Sequence, residues 1–531
     1  MNIASFLATL TDVDNVDNIN QNKPNTPNNS INLNKQYNLK PRIYETNKTN
    51  ETNQRKNKFT LRNNLSRQTK KKILSYQEPH IIKLINLILE HSIAIDMSDT
   101  GIGKTYVACA ICLELGIKPI VICPKTLIFN WITVLDLFGV DYYDVVNYET
   151  IKNGKTYNDR YFKSRVKSSY LGQIYEDYAD PTAFSYYWDV PIDSIIIFDE
   201  VHRCKEPNTD NGKLLMSSKS LIRQNIPLLL LSATICEKPI DMKIPFYLLD
   251  LINSTKDFNK YMQSLKSKYP KYKFLKSDYP DPCMLKTATE KAKTMIIYEQ
   301  TKIYSSRIRI KDIGDKFQNN QICCQHFFAP EFIYINEAYN KIGKLMVELG
   351  NNTGKHHLAR IQKLKQEIEL RKVPIFIEQS NLYLEAGKSV VIFVNYLDTL
   401  NVLAESLNIC CRLHGKQTMQ DRLDSIELFQ SNREKIIICQ IRAGGVGIGL
   451  HDVHGDHPRV SLINFPDSAT DLIQALGRIY RSGTKTPALQ RIIFVANVDY
   501  EKKIMENINN KLANLFAAND GCIDDLQYNI K

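Results

Sequence analysis

The 531-residue sequence predicts an α/β protein with two parallel-sheet units in tandem, a helical region between them and a disordered N-terminal tail. Short and continuously apolar runs recur along the chain, which is typical of strands buried on both faces of a parallel sheet. Helical segments separate these runs, as in α/β folds. The runs fall into two groups, within residues 73–252 and 381–500. No apolar run approaches the roughly 18 residues that a membrane-spanning helix needs, which excludes an integral membrane protein.

The first unit, residues 73–252, opens with a predicted helix at about residues 77–90, and a second helix is predicted from Lys104. Its predicted strands are Ile93–Asp96, Pro119–Cys123, Ser194–Phe198 and Pro227–Ser232. A Tyr-rich, charged stretch near residues 152–190 has no clear period and is interpreted as a surface insertion. A helical insertion that packs its own aromatic rings is favoured there, and stacking on single-stranded bases is the alternative.

Residues 253–380 are mostly polar with helical patterning, and we expect them to link the two units. The predicted strands of the second unit are Ser389–Val394, Lys435–Cys439, Val460–Asn464 and Leu489–Ala496. Residues 501–531 are predicted as a C-terminal tail that continues an amphipathic helix of about residues 500–515.

The N-terminal tail, residues 1–72, is rich in Asn and has few apolar residues beyond its first ten. This composition cannot bury enough surface to offset the entropy of ordering, so we expect disorder. The tail holds 13 Lys/Arg and 5 Asp/Glu, a net charge of +8 out of the chain's +12, so the remaining residues carry +4. Such charge suits a nucleic-acid partner, although solvated basic tails are common. The 12 Cys lack paired zinc-type spacing and the N-terminus lacks a basic leader, which predicts an intracellular protein with no membrane partner.

The segment from Ser98 to Thr105 has the pattern of a phosphate-binding loop between a strand and a helix. Gly101 and Gly103 let backbone N–H groups surround phosphates, and the helix N-terminus adds its dipole. Lys104 is predicted to contact the β- and γ-phosphates of ATP, and the Thr105 hydroxyl to bind Mg²⁺. The rest of the predicted nucleotide-binding loop is Asp99, Thr100 and Ile102. Ser98 replaces the first glycine of the general pattern, and a simple glycine turn is the alternative interpretation.

An acid pair, Asp199 and Glu200, follows the apolar strand that ends at Phe198. Ligands of α/β sheets bind at the carboxyl ends of strands. Asp199 is predicted to hold Mg²⁺ and Glu200 to polarise the attacking water. An isolated acidic pair is usually solvated surface, but its position about a hundred residues after a phosphate loop favours the catalytic interpretation.

Gln474, Arg478 and Arg481 lie in the second unit at spacings of i, i+4 and i+7. On one helix these three side chains would share a face. Taken alone, this segment would be interpreted as an exposed basic face.

In this order, the three motifs resemble those of superfamily 2 helicases and translocases, over residues about 73–500. The resemblance implies two RecA-like lobes, ATP and Mg²⁺ as ligands, ATP hydrolysis, and DNA or RNA as partner. It also implies that Arg478 and Arg481 of the second lobe complete the ATP site of the first, since arginine fingers accelerate phosphoryl transfer in other enzymes. It further implies roles for residues outside the three motifs: adenine recognition by Gln77, nucleotide contact by Gln474, and nucleic-acid contact or coupling by Pro124, Lys125, Asn147, Tyr148, Ser232, Thr234, Gly444 and Gly445.

Within the superfamily the chain is most similar to the Swi/Snf-like group, while Gly449 and Thr484 replace the Asn and Gln usual there. An ATP-driven motor that moves on or unwinds DNA or RNA is therefore predicted. The alternative is a double-strand translocase, or a transcription-associated NTPase, that remodels complexes without strand separation. The short loop His451–Arg459 leaves no room for a long separating hairpin and favours translocation. The Asn-rich composition is typical of an AT-rich genome such as that of a giant virus. The expected location is therefore nucleus, cytoplasm, virion or virus factory, and the expected partners include transcription or replication machinery.

Overall fold

A computed structural model describes residues 62–159, 164–175, 184–269, 282–351, 355–444 and 448–520. The tail predicted to be disordered lies outside the described residues up to residue 61. Residues 62–72, which composition assigned to the tail, pack on the first unit. There the Glu114 carboxylate accepts hydrogen bonds from the Thr69 hydroxyl and the Ser66 N–H and pairs with Arg62.

The first unit, called lobe 1, contains a six-stranded parallel sheet and two short antiparallel hairpins. The sheet order is β10-β1-β9-β8-β2-β3, and every pairing in it is parallel. The strands from β1 to β10 are, in chain order, Ile93–Asp96, Lys118–Cys123, Asp144–Asn147, Lys155–Tyr157, Arg165–Lys167, Leu171–Tyr175, Phe184–Trp188, Ser194–Asp199, Leu228–Leu231 and Ser305–Ser306.

Continuous apolar strands are explained by burial on both faces of this sheet. In β8, Ile195 and Ile197 pack in one core cluster, while Ile196 and Phe198 pack in the other. Successive side chains of a strand point to opposite faces, so both faces are covered by helices. The α-helices of lobe 1 are Arg67–Lys70, Glu78–His91, Lys104–Leu115, Ile128–Phe138, Tyr148–Ile151, Asp210–Ser217, Lys219–Arg223 and Lys243–Leu248.

The described residues of the insertion near residues 152–190 form two antiparallel strand pairs and no long helix, so the prediction of a helical insertion is wrong there. Hairpin β4–β5 pairs Thr156 with Val166, and hairpin β6–β7 follows it. Aromatic and β-branched residues fit a pleated surface better than a helix, which explains the difference. The insertion does pack its own rings, since Phe184 and Tyr186 meet edge to face with centroids 5.2 Å apart.

The second unit, called lobe 2, is a six-stranded parallel sheet of order β11-β16-β15-β12-β14-β13. The strands from β11 to β16 are Asn320–Phe327, Ser389–Val394, Arg412–Leu413, Ile436–Gln440, Arg459–Asn464 and Ala488–Val495. Its helices are Leu397–Ser406, Met419–Gln430, Ile441–Gly444 and Ala469–Leu476, followed by Asp499–Asp520 at the C-terminal end. The predicted fold of two tandem parallel-sheet lobes is confirmed.

The linking region, residues 253–380, is mostly helical but also supplies an edge strand to each sheet. β10 pairs with β1 through Ile95 and Ser305, and β11 pairs with β16 over eight residues. The helices of this region are Phe258–Lys268, Pro282–Thr301, Phe332–Asn351, Lys355–Leu370 and Val373–Glu385. Across the described part of the chain, no helix is both long and apolar enough to span a membrane.

Candidate functional site

The phosphate loop, residues 98–105, connects β1 to the helix Lys104–Leu115. Gly101 and Gly103 have φ angles of +85° and +95°, a left-handed conformation that glycine adopts without steric cost. The Lys104 ammonium reaches back over the loop and donates to the carbonyls of Ser98 and Asp99 at 2.9 and 3.0 Å. The loop is therefore curled around its own lysine at the N-terminus of a helix, the geometry that favours an anion.

The linking region holds the start of the phosphate loop. Arg307 donates to the Asp99 carboxylate at 2.6 Å, and the Ile310 N–H donates to the same carboxylate at 2.9 Å. The Ser98 hydroxyl accepts the Ile308 N–H at 3.0 Å, and the Ser98 N–H donates to Asp96 at 2.8 Å. The hydroxyl bond is one that a glycine at this position could not make, whereas the N–H bond is available to any residue except proline. Arg307 was not found from sequence because it lies about 200 residues from the loop it contacts.

Gln77, predicted to read adenine, lies against the phosphate loop. Its amide nitrogen donates to the Ile102 carbonyl at 2.9 Å, and its amide oxygen accepts the Leu74 N–H at 2.9 Å. The neighbouring Tyr76 hydroxyl is also within hydrogen-bonding distance of the Ile102 carbonyl, at 3.2 Å. The buried Gln77 side chain therefore supports the loop backbone in this conformation.

The acid pair lies at the carboxyl end of β8, beside the phosphate loop. Asp199 is buried and accepts the Trp131 indole N–H at 2.8 Å and the Glu200 N–H at 2.9 Å. Burial, together with the charge of Glu200, raises the pKa of Asp199 above its usual value. Glu200 itself has a φ of +55°, an uncommon conformation for a residue with a side chain and one that concentrates at functional sites.

His202 connects the acid pair to the segment Ser232–Thr234, and sequence analysis gave it no role. Its Nδ1 lies 3.2 Å from the Ser232 hydroxyl, 3.3 Å from the Thr234 hydroxyl and 3.3 Å from the Glu200 carboxylate. Burial lowers the pKa of His202, which favours a neutral ring. Glu200 and the predicted coupling segment therefore share one imidazole.

The prediction that Gln474, Arg478 and Arg481 lie on one helix is wrong. The helix Ala469–Leu476 ends before both arginines, which lie in the turns that follow. The Arg478 Nε donates to the Gln474 carbonyl and the Arg481 Nε to the Gly477 carbonyl, each at 2.8 Å. Carbonyls at a helix end need such partners, and the arginine side chains supply them here. The Gln474 side chain is buried.

The arginine turns lie directly on the phosphate loop of the other lobe. A Cβ atom added to Gly101 would meet Arg481 Cγ at 3.0 Å, and one added to Gly477 would meet Thr100 Oγ1 at 2.5 Å. The Ser482 N–H donates to the Gly101 carbonyl at 3.3 Å. Burial lowers the pKa of Arg481 to about 10, although the nearby Glu200 charge acts in the opposite direction. The structure thus brings Lys104, the acid pair and both arginines together between the lobes.

Glu237 is a second link between the lobes, and no sequence motif pointed to it. This buried lobe 1 carboxylate accepts the Thr470 N–H at 2.7 Å, the Thr470 hydroxyl at 2.6 Å and the Ser468 hydroxyl at 3.1 Å. Ser468 and Thr470 form the N-terminus of the helix that leads to the arginines, where a carboxylate is favoured. Burial alone would raise the pKa of Glu237, but these donors hold it below its usual value.

The residues predicted to touch nucleic acid differ in accessibility. Lys125 follows β2 and is exposed, next to the buried Pro124. Asn147 and Tyr148 are buried, with the Tyr148 hydroxyl donating to the Asp199 carbonyl at 2.7 Å. Gly444 ends the helix Ile441–Gly444 in lobe 2, and Gly445 lies outside the described residues.

A phosphate loop and an acid pair on one parallel-sheet lobe, faced by arginines from a second such lobe, define a two-lobed nucleotide hydrolase of the helicase type. Two families match the chain: type III restriction enzyme, res subunit, over residues 70–237, and helicase conserved C-terminal domain, over residues 372–483. A protein of Acanthamoeba polyphaga mimivirus that carries the name ATP-dependent RNA helicase is 57% identical over 475 residues, which cover 89% of this chain and 88% of the relative. The chain belongs to the superfamily 2 helicases and is an ATP-hydrolysing nucleic-acid motor, as predicted.

Other matches are more distant. The human DNA repair and recombination protein RAD54B is 29% identical over 132 residues, which cover 23% of this chain and 14% of that protein. The Sulfolobus solfataricus SWI2/SNF2 ATPase core in complex with double-stranded DNA is 17% identical, covers 85% of this chain and 93% of its own, and has a TM-score of 0.30. Saccharomyces cerevisiae Dbp5 bound to RNA and ADP-BeF3 is 13% identical, covers 84% and 98%, and has a TM-score of 0.39.

Proposed function

We propose that this motor hydrolyses ATP only when nucleic acid holds its two lobes closed, because the lobes contribute different halves of the catalytic site. The contact of Arg481 with Gly101 carries this proposal. It puts the lobe 2 residue Arg481, through its Cα and Cγ, against the loop that is expected to bind phosphates. Donors already oriented where charge develops accelerate phosphoryl transfer without reorganisation at the moment of reaction.

The proposed roles follow from these positions. Lys104 exchanges its bonds to the Ser98 and Asp99 carbonyls for bonds to the β- and γ-phosphates. Glu200 orients a water and accepts its proton as the water oxygen bonds to the γ-phosphorus and the bond to the β-phosphate oxygen breaks, which gives ADP and phosphate. Arg481 stabilises the charge of the transferring group. Arg478, whose Nη1 donates to the Ile448 carbonyl at 3.1 Å, positions the lobe 2 side of the site.

Mg²⁺ fits the residues at this site. The buried Asp199 carboxylate has one hydrogen-bond donor on each oxygen. Burial and the charge of Glu200 raise its pKa, so a bound cation would stabilise the ionised carboxylate. Magnesium in phosphoryl-transfer enzymes takes one or two protein oxygens and fills its remaining positions with phosphate and water. Asp199 and Thr105 would hold the ion, which when bound neutralises charge on the β- and γ-phosphate oxygens.

Two contacts support coupling between hydrolysis and movement. His202 joins Glu200 to Ser232 and Thr234, and Glu237 joins lobe 1 to Thr470 in lobe 2. Closure of the lobes would alter the surroundings of both the His202 ring and the Glu237 carboxylate. The exposed Lys125 of lobe 1 and the Gly444 segment of lobe 2 would contact the sugar–phosphate backbone, while the buried Asn147 and Tyr148 support that surface from below.

One observation favours translocation over strand separation. The loop from His451 to Pro458 is held by Asp452, whose carboxylate accepts the N–H groups of His454, Gly455 and His457 at 2.9–3.2 Å. β15 begins directly afterwards, so this loop is too short and too constrained to insert between paired strands.

The mimivirus relative carries RNA in its name. We propose that the polynucleotide on which this motor acts is handled by viral transcription or replication machinery inside the infected cell.

The test is ATP hydrolysis by the purified full-length protein with single- and double-stranded DNA and RNA, alongside release of a labelled strand from short duplexes. We expect hydrolysis to rise by about 10²-fold or more with a polynucleotide, because an open site misplaces the catalytic groups, and to require Mg²⁺. Stimulation by duplex without strand release supports translocation, and release supports unwinding. Hydrolysis that is unaffected by every polynucleotide would contradict closure as the switch.

A further inference from the structure

Hairpin β4–β5 concentrates the positive charge of the protein outside its tail. Residues 155–167 contain five Lys/Arg and one Asp, a net charge of +4, which equals the +4 that residues 73–531 carry as a whole. The remainder of the folded region is therefore close to neutral. A charge excess of this size on one short element favours a polyanionic partner.

The strand register gathers these charges on one face. Lys155 pairs with Lys167, and Tyr157 pairs with Arg165. Side chains two residues apart on a strand point the same way, so these four residues share one face, called here the basic face. Lys155, Arg165 and Lys167 are exposed, and among the described residues no carboxylate lies within 4.0 Å of any of them.

Like charges directly opposite each other destabilise a hairpin. Lys155 and Lys167 are such a pair, with no described acidic residue to offset their repulsion. An anion that contacts both ammonium groups would remove this repulsion. Arg165 lies over the Tyr157 ring at 5.9 Å from its centroid, which keeps the guanidinium on the same face.

Hydrogen bonds hold the basic face beside the segment that the helicase resemblance assigns to nucleic acid. The Tyr157 hydroxyl donates to the Asn147 side-chain oxygen at 2.7 Å, at the carboxyl end of β3. The Thr156 hydroxyl, on the other face of the hairpin, donates to the Asp144 carboxylate at 2.6 Å. From the second hairpin, the Tyr186 hydroxyl and the Gln173 amide donate to the Lys152 carbonyl at 2.9 and 2.8 Å.

We propose that the basic face is an additional nucleic-acid site on lobe 1, which binds the phosphodiester backbone and extends the track that starts at Lys125. Cations two residues apart on a strand are spaced by about 6.8 Å, close to two nucleotide steps of about 3.4 Å along one strand. This inference deepens the proposed function and rests on it. The site contacts backbone phosphates and not bases, so it would keep the motor bound to a polynucleotide of any sequence.

The test compares two triple variants of the full-length protein. One removes the basic face by Lys155→Gln, Arg165→Gln and Lys167→Gln. The matched control removes three cations that flank the amino ends of the lobe 2 strands β12 and β14, by Lys388→Gln, Arg433→Gln and Lys435→Gln. Binding of a fluorescent single strand and a fluorescent duplex is measured by anisotropy from about 50 to about 200 mM salt.

Each lost phosphate contact lowers the slope of log affinity against log salt by about 0.9 for a duplex and about 0.7 for a single strand. We therefore expect the first triple variant to lose about 2–3 units of slope, while the control keeps the wild-type slope. Lys167→Gln alone should lose about one phosphate contact. This single variant replaces the triple variant in the test if the triple variant has a lowered thermal unfolding midpoint. A wild-type slope in the basic-face variants would overturn this inference alone. A wild-type protein with no salt-dependent binding would overturn the proposed function as well.

Discussion

Gly477→Ala is a steric test of lobe closure. Gly477 has a φ of −76°, which alanine adopts without strain, so lobe 2 should fold normally. In the closed arrangement, however, the new methyl would lie 2.5 Å from Thr100 Oγ1 and 2.9 Å from Thr100 Cβ. Rotation of the Thr100 side chain moves its hydroxyl but not its Cβ, so the clash must be relieved by separating the lobes.

The size of the effect follows from these distances. Non-bonded carbon atoms prefer separations of about 3.5–4.0 Å, so the 2.9 Å contact requires the lobes to move apart by about 1 Å. Misplacement of catalytic groups by about 1 Å can cost about 10²-fold in rate, or about 2.7 kcal/mol. We expect the polynucleotide-stimulated kcat to fall by about this factor. Nucleotide affinity without polynucleotide should change little, because the phosphate loop belongs to lobe 1.

The assay pairs stimulated ATP hydrolysis with direct titration of a fluorescent ATP analogue. Gly343→Ala is the matched control, since Gly343 lies in the helix Phe332–Asn351 and a methyl there would meet nothing within 4 Å. Combining Gly477→Ala with Thr100→Gly removes both the Oγ1 and the Cβ contact and should restore part of the rate. A Gly477→Ala protein with stimulated kcat within about threefold of wild type would refute closure through this contact, since about 1 Å of displacement predicts far more.

The other predictions concern single side chains of the same site. Arg481→Ala should keep nucleotide binding but lose about 10³–10⁵ of stimulated kcat, and a loss below tenfold removes this arginine from the reaction. Lys104→Ala should abolish hydrolysis with or without polynucleotide, and persistent Mg²⁺-dependent turnover above background would exclude Lys104 from phosphate binding. Glu237→Gln keeps the shape but loses the charge of the acceptor for Thr470, so the polynucleotide concentration that half-stimulates hydrolysis should rise about tenfold. Because the pKa of Glu237 is held below its usual value, its contribution to lobe closure should be present at neutral pH and lost only in acid. A Glu237→Gln protein that needs the same polynucleotide concentration as wild type for half-stimulation would contradict the coupling role.

Much of the fold follows from local patterns. Continuous apolar runs such as Ser194–Phe198 are predicted as buried parallel strands, and the structure has β8 at Ser194–Asp199. The two-residue β10 carries no such pattern, and it exists because β1 offers it an open edge. β11 is half-buried at the edge of lobe 2, so its composition resembles the polar helices around it.

The limits of sequence analysis are clearest at the arginines. A helical repeat predicts that Gln474, Arg478 and Arg481 share a face, but the helix ends at Leu476 and the arginine side chains bind its last carbonyls. What brings Arg481 to Gly101 is the packing of lobe 2 on lobe 1, which no repeat within the segment encodes.

Short-range chemistry was enough to identify an ATP-driven motor, because Lys104 and the acid pair lie in compact motifs whose residue types are dictated by phosphate, metal and water. The fold alone decided three further pairings, of which the first joins the two lobes: Glu237 with Thr470, Arg307 with Asp99, and Tyr157 with Asn147. Arg307 and Tyr157 are single polar side chains in sequence contexts without a pattern. Their partners become neighbours only after sheets, linking strands and hairpins have assembled, because burial and packing between distant segments set those distances.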